Sequence, residues 1–469
     1  MHLRASKLSR SPRRLCRAFC PFFSLVLLPL LGACDDDDGP MGPGDPTVTI
    51  TSPASGWTAF EGSRLPLQGS GSDPQDGPLP DSNLVWTSSI DGTLGTGSAL
   101  EVSSPSVGIH TITLTARDSH GNQATASISV VIQELEFLDG TVSDPRVGLV
   151  VNSLSNAVRL FRVGDPDESR EIALGASSAV TATGLSVRGE RAAVPLGNAA
   201  SVAVIDLRSR QIEGFFLFPS GNATGSDFVD DQTVLAANQE TDEVGKFSLG
   251  QASQNITETA SVAPFPTDVI TVSPSRVLVI SANLDDNYLP AGEGVVTAID
   301  PGTMTVTGTV ETGGRNPQFG DLGPDGLFYV INTGNYVDPS TLAIIDPETL
   351  TRVDLVDGFP AGSGHVHVDD EGLVYVSGYF FGTVVWDSVT ESFLRGPGDP
   401  VCAPLAGGGC RGASSAYTAA DGNLYQTFFG SPGQGLAPWV FRYSPETFEL
   451  ADSIPSGLGP TEVEIHSFR

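Results

Sequence analysis

Few side chains in this 469-residue chain have the types and spacing to do chemistry. His365-Val366-His367 comes first. On a strand, period two puts both imidazoles on one face. A His-x-His pair of that kind can begin a metal site, for Ca2+ or another divalent ion, once further ligands join it. Asp268, Glu462 and His466 occupy stretches that align with it. The same groups can also simply hydrogen-bond in a polar wall, and both readings stand. Aromatic residues form a second group: Tyr288, Tyr336, Tyr379, Phe380, Phe381, Phe428 and Phe429. Together with a few acids, such rings give a ligand contact area and direction. The competing reading is that alternate rings pack inward. No Gly-x-Ser-x-Gly elbow, phosphate loop or His-Glu-x-x-His is present, and no cofactor is required. Lys246 is the one lysine beyond the N-terminal region, so a Schiff-base mechanism has a single candidate.

These residues are positioned by a repeat. Asp325-Gly326-Leu327-Phe328-Tyr329-Val330-Ile331-Asn332 reads as a turn and a strand. Thr341-Leu342-Ala343-Ile344-Ile345 followed by Asp346-Pro347-Glu348-Thr349 reads as a second strand and its turn. Related units begin near Gly148, Arg191, Thr233, Val277, Leu373 and Leu424. Their spacing of roughly 40–50 residues is that of propeller blades. Seven units are counted over residues 134–469. Residues 460–466 (PTEVEIH) match Pro266 to Ile270, so the C-terminal strand is expected to supply the inner strand of the first unit and close the ring. Closure would remove exposed sheet edges.

With Val151-Asn152, Ile331-Asn332 and the Asp-Pro-x-Thr turns, the repeat resembles the YVTN/NHL-type propellers. That resemblance implies a seven-bladed fold. It also implies a ligand face built from loops that enter the inner strands and loops that join second to third strands, where those aromatics would lie. It implies no activity, because such folds host binding modules, lactonases, lyases and electron-transfer proteins. Gluconolactonase-like propellers hold calcium with acids and Asn in the channel. Asp268, Asn316, Asp321 and Glu462 have that chemistry without matching that family's motif residue by residue.

Residues 46–133 alternate apolar and polar in short strands around Val48, Trp86, Thr111–Ala116 and Ala124–Ile132, as a small sandwich does. Gly71-Ser72-Asp73-Pro74-Gln75-Asp76-Gly77-Pro78 and Ala116-Arg117-Asp118-Ser119-His120-Gly121-Asn122 resemble the PKD and bacterial Ig-like domains of surface proteins, which implies a spacer or adhesive module. Calcium in the Asp73/Asp76 loop is set against plain solvation of an acidic turn.

The formal net charge is −31, and the first 33 residues carry six basic side chains and no acid. The remainder is therefore more acidic still. Such a surface repels nucleic acid and anionic headgroups and suits solubility outside the cell, a saline habitat or cationic partners. Residues 1–33 have the order of an export signal: a basic stretch, then the apolar run 21–31, too short for a permanent span, then small residues. Leu31-Gly32-Ala33-Cys34 resembles the lipobox of bacterial lipoproteins. It implies that Cys34 is lipidated, that residues 34–45 form a flexible acidic tether, and that the protein is anchored in the cell envelope, with the membrane leaflet left open. Cys402 and Cys410 share one Gly/Pro-rich loop in an oxidising compartment, and a disulfide is expected there.

The expectation is thus an all-β, exported, lipid-anchored protein: an Ig-like/PKD sandwich, then a seven-bladed β-propeller closed by the C-terminal strand. The favoured function is non-enzymatic binding of a protein, glycan or small molecule on the loop face. The alternative is a metal-dependent hydrolase or lactonase working in the central channel.

Overall fold

A computed structural model gives the structure of the chain. It describes residues 44–467 apart from 61–63, 103–104, 134–145, 176–179, 286, 406 and 431–435. The export signal, Cys34 and all but the last residues of the tether lie outside the described residues.

The described chain is all-β apart from one 3-10 turn at Asp81–Asn83. In residues 47–133, a four-stranded sheet (Thr47–Ser52, Leu65–Asp73, Gly77–Pro78, Ala99–Val102) and a five-stranded sheet (Trp57–Phe60, Leu84–Ser88, Gly92–Thr96, Gly108–Arg117, Gln123–Gln133) share one apolar core. Leu65 and Leu67 come from the first sheet; Trp86, Ile112, Leu114 and Val130 come from the second. Trp86 is fully buried, and its indole N–H donates to the Gly97 carbonyl at 2.8 Å, which satisfies the ring's one polar atom. In the acidic loop, Asp73 accepts the main-chain N–H groups of Gln75 and Asp76, and Asp76 accepts from Ser119. These carboxylates therefore tie the loop together.

From residue 146 onward the chain forms seven four-stranded antiparallel sheets. Their innermost strands are Pro460–Ser467, Ser186–Arg188, Ala223–Phe228, Pro266–Ser273, Pro317–Leu322, Ser363–Val368 and Ala416–Thr418. We number the sheets first to seventh in that order. The first sheet contains both ends of this region: Pro460–Ser467 pairs with Arg146–Asn152, from Arg146 opposite Ser467 to Asn152 opposite Pro460.

The sequence explains why these strands are nearly continuously apolar. A strand covered on both faces cannot alternate apolar and polar residues. Phe328–Asn332 is buried throughout. Its Phe328 and Val330 pack with Leu278, Ile280 and Val296 of the fourth sheet. Its Tyr329 and Ile331 pack with Val374, Val376 and Trp386 of the sixth. Comparable seams join the first sheet to the second, the second to the third, the third to the fourth and the sixth to the seventh. Val150 and Phe161 of the first sheet meet Tyr425, Val440 and Ile454 of the seventh, so the seams run full circle. The fold is therefore propeller-like. Outer strands such as Thr351–Phe359 are mostly exposed.

Two side-chain devices repeat. After the third strand, an aspartate caps the turn: Asp346 accepts the N–H groups of Glu348 and Thr349, and Asp387 accepts those of Val389 and Thr390. These bonds favour the charged carboxylate and lower both pKa values. At the end of the second strand, a buried asparagine holds the connection arriving from the preceding sheet. Asn152 accepts from Ser456, Asn238 from the Asn222 amide, and Asn332 from Thr312. A glycine lies against each: a Cβ at Gly457, Gly221 or Gly314 would come within 2.7, 2.0 or 2.5 Å of that asparagine side chain.

Candidate functional site

All seven innermost strands contribute to one axial cavity of about 410 Å³. Short inner strands with a polar residue at alternate positions send those side chains toward the axis. Asp227, Asp268, Asp321, Glu462 and Glu464 face it, joined by His365, His367 and Tyr417. Among the described lining residues there is no lysine or arginine.

Burial favours the neutral acid at four of these carboxylates, Asp227, Asp268, Glu462 and Glu464. Burial raises Asp268 to about 8, with Asp227 and Asp321 adding repulsion. Burial likewise raises Glu464 to about 8 and Asp227 to about 6. It raises Glu462 well above the usual carboxylate range, with help from Asp268 and Glu464. The same physics acts in reverse on His365: burial lowers it to about 4, and His367 pushes in the same direction. Its Nδ1 is buried without a hydrogen-bond partner.

His367 is held differently. Its Nδ1 is 2.9 Å from Asp321 Oδ2, and its Nε2 is 2.8 Å from Thr418 Oγ1. The Val368 amide also donates to that carboxylate, and Tyr417 stacks on the imidazole at 4.7 Å. In a neutral ring, Nδ1–H donates to Asp321 and Nε2 accepts the Thr418 hydroxyl. His367 and Thr418 also line a cavity of about 320 Å³ beside Asp369, Asp370 and Glu371.

A third cavity, of about 380 Å³, lies against the loop face. It shares Thr224, Phe319 and Glu462 with the axial cavity, so Glu462 stands where the two meet. Tyr336 and Tyr379 form aromatic walls, and Asn222, Gln239 and Gln318 present side-chain amides.

The sequence-based site residues divide accordingly. Asp268, His365, His367 and Glu462 do line one cavity, as a metal site would require. They do not make a ligand set: among the described residues no group of three or more His, Cys, Asp or Glu is placed to hold a metal. Both nitrogens of His367 are already engaged, and the acids are spread around the ring. His466 is not among the axial lining residues, and Asn316 bonds to Gln318 and Gly334. Of the aromatics, Tyr288, Tyr336, Tyr379 and Phe380 are exposed. Tyr288 stands apart from the cavities, edge-on to Phe265. Phe428 is a core residue with Arg411 over its ring at 5.0 Å, and Phe381 packs into the seam between the fifth and sixth sheets. These two correct the expectation that they face a ligand: Phe428 ends a strand with its ring in the core, and Phe381, in the turn between two strands, lays its ring over Gly378. Phe429 is half-buried and meets Tyr379 edge-on at 6.0 Å. Cys402 and Cys410 form a disulfide with Cα atoms 5.5 Å apart. Lys246 pairs with Glu258 and donates to the Pro301 carbonyl, strapping the third sheet to the fourth.

Asp227, Glu464, Phe319, Gln318 and Thr418 were not singled out from the sequence. Stacking the inner strands ATGSDF, PTDVIT, PQFGDL, SGHVHV and PTEVEI would have shown an acid or histidine recurring at the third or fifth place.

No protein-family model matches the chain, and no curated protein matches it. Among solved structures, it is similar to one titled Kuenenia stuttgartiensis Hydrazine Synthase, at 13% identity and a TM-score of 0.48, over 62% of this chain and 97% of that one. At that identity and score the likeness assigns no activity.

Proposed function

We propose that this protein is a non-enzymatic binding protein whose loop-face cavity takes a neutral, polyhydroxylated ligand such as the end of a glycan. In this reading, residues 146–467 are a seven-bladed ring closed by the C-terminal strand, and residues 46–133 are an Ig-like spacer. The export signal and lipobox-like Leu31-Gly32-Ala33-Cys34 support a lipid-anchored place in the cell envelope. The observation that carries the function is the composition of the loop-face cavity. Tyr336, Tyr379 and Phe319 offer ring faces; Asn222, Gln239 and Gln318 offer amides; Glu462 is the one acid, at the junction with the axis. Amides both donate and accept, which is what a sugar hydroxyl needs. Aromatic faces cover its C–H surface. The test is to screen the full-length protein against a panel of oligosaccharides and titrate any hit by calorimetry. Tyr336→Ala with Tyr379→Ala should weaken the hit at least tenfold while leaving the melting temperature within a few degrees. Unchanged affinity in that variant refutes the reading.

A second reading, hydrolysis, has one specific observation behind it: the Asp321–His367–Thr418 hydrogen-bond chain. An acid that orients an imidazole, which in turn accepts from a hydroxyl, is the arrangement that activates a hydroxyl nucleophile. This version needs no metal. Activated acyl esters are the substrates to try. Activity that survives Thr418→Val, or no activity in the unaltered protein, removes it.

A further inference from the structure

We infer that the axial cavity is a binding site for a short aliphatic diamine, an organic dication that neutralises the channel carboxylates without direct metal coordination. Five carboxylates on four different sheets face one enclosed space, and no lysine or arginine shares it among the described residues. The channel wall therefore carries no lysine or arginine of its own, and Arg188 acts on Asp227 from outside the lining.

Unpartnered polar atoms point to the same place. His365 Nδ1 and Ser226 Oγ are both buried without a hydrogen-bond partner, in residues only 9% and 6% exposed, and both residues line this cavity. Ser186 Oγ, also buried and unpartnered, belongs to the same wall. His365 in particular is a polar side chain, nine-tenths buried and unpartnered at Nδ1, on the strand face that its neighbour His367 shares in the cavity wall. An ammonium group supplies three N–H donors.

The arrangement also sets the length of the ligand. Glu462 and Glu464 project from the same face of one strand, two residues and thus roughly 7 Å apart along it. Glu462 is coupled most closely to Asp268, and Glu464 to Asp227 and Asp321. The acids thus form two tiers, one near the loop-face cavity and one deeper. Two ammonium groups joined by a few methylenes bridge such tiers, with Leu185, Val187 and Phe319 against the carbon chain. A point cation would satisfy only one tier, and no three potential ligands converge on a point. This inference stands on the channel and not on the loop-face reading, so either can fail alone.

The experiment titrates the full-length protein with 1,4-diaminobutane by calorimetry and by thermal melting, in about 0.15 M salt so that surface attraction is screened. Calcium chloride and butylamine serve as parallel probes. The expected result is saturable, one-to-one binding of the diamine and a raised melting temperature. Butylamine should bind at least tenfold more weakly. Asp268→Asn with Glu464→Gln should abolish the effect, and Glu464→Gln alone should weaken it at least tenfold, which keeps the test decisive if the double variant misfolds. Replacing the exposed acids Asp165 and Asp167 by asparagine should change nothing. No saturable binding overturns the inference. So does equal binding to the channel variants, which would mean that the diamine condenses on the acidic surface. Calcium acting alone at lower concentration than the diamine also overturns it, in favour of a metal site.

Discussion

Raising the pH should destabilise this protein over the range where most acidic proteins are indifferent, and Asp268→Asn should remove part of that sensitivity. Asp268 and Glu464 each hold a proton to about pH 8 in the folded chain, whereas the unfolded chain releases them near 3.8 and 4.5. The folded state thus binds more protons between those limits, so stability is greatest below pH 4 for these two groups and falls as pH rises through 8. Each contributes a slope of about 1.4 kcal/mol per pH unit. His365 acts in the opposite sense: lowered to about 4, it adds stability as pH rises from 4 to 6.5 and offsets one carboxylate there. Above 6.5 the carboxylates act unopposed. Asp268 and Glu464 over 1.5 units give about 4 kcal/mol, which water in the cavity reduces to about 2 kcal/mol, and Glu462, also raised, acts in the same direction. That corresponds to a loss of several degrees in melting temperature between pH 6.5 and 8. The assay is scanning calorimetry at half-unit steps in metal-free, amine-free buffer. Asp268→Asn should be more stable than the unaltered protein at pH 8 and show a shallower slope. A flat melting temperature from pH 6.5 to 8, or an unchanged slope in the variant, refutes the reasoning.

Further outcomes follow from packing. Phe161→Ala empties the seam between the first and seventh sheets, where the ring is fully buried, and should cost about 3–5 kcal/mol in denaturant unfolding. Gly314→Ala drives a Cβ to 2.5 Å from Asn332 and should cost about 1–3 kcal/mol, whereas Gly326→Ala meets nothing within 4 Å and should cost less, through its positive φ alone. Trp86→Phe leaves the buried Gly97 carbonyl without its indole donor; a loss of about 1–3 kcal/mol in the melt of the N-terminal sandwich is expected.

Much of the fold was legible because strand period and turn chemistry are local. Phe328–Asn332 and the Asp346 turn announce themselves within ten residues. The asparagines closing three of the second strands, Asn152, Asn238 and Asn332, were legible too, but their glycine partners were not, since Gly221 and Asn238, for example, meet only after the chain has doubled back. The site was half legible. His365, His367, Asp268 and Glu462 were found because their types are conspicuous. Their non-convergence on a metal depends on how far around the ring each strand falls, which no local pattern encodes. Asp227 and Glu464 passed as ordinary strand residues, and the pairing of His367 with Thr418 spans 51 positions. Phe381 and Phe428 were assigned to the loop face by type. For Phe428 the side of the pleat is decided by register, and a shift of one residue reverses it; for Phe381, in a turn, the direction depends on the bare surface of Gly378 that its ring covers.

Pro460–Ser467 lies against a strand some three hundred positions earlier; the hydroxyl of Ser153 and the carbonyl of Gly459 are 306 residues apart in sequence. Bringing such distant segments together carries a chain-closure entropy of on the order of 5 kcal/mol, so this contact belongs late in folding. The same short strand delivers Glu462 and Glu464 to the axis. Folding and site formation are therefore a single event: a chain still open at this seam has neither a complete wall nor two of its five acids. Any molecule held on the axis recognises the closed form alone and, by mass action, slows its reopening.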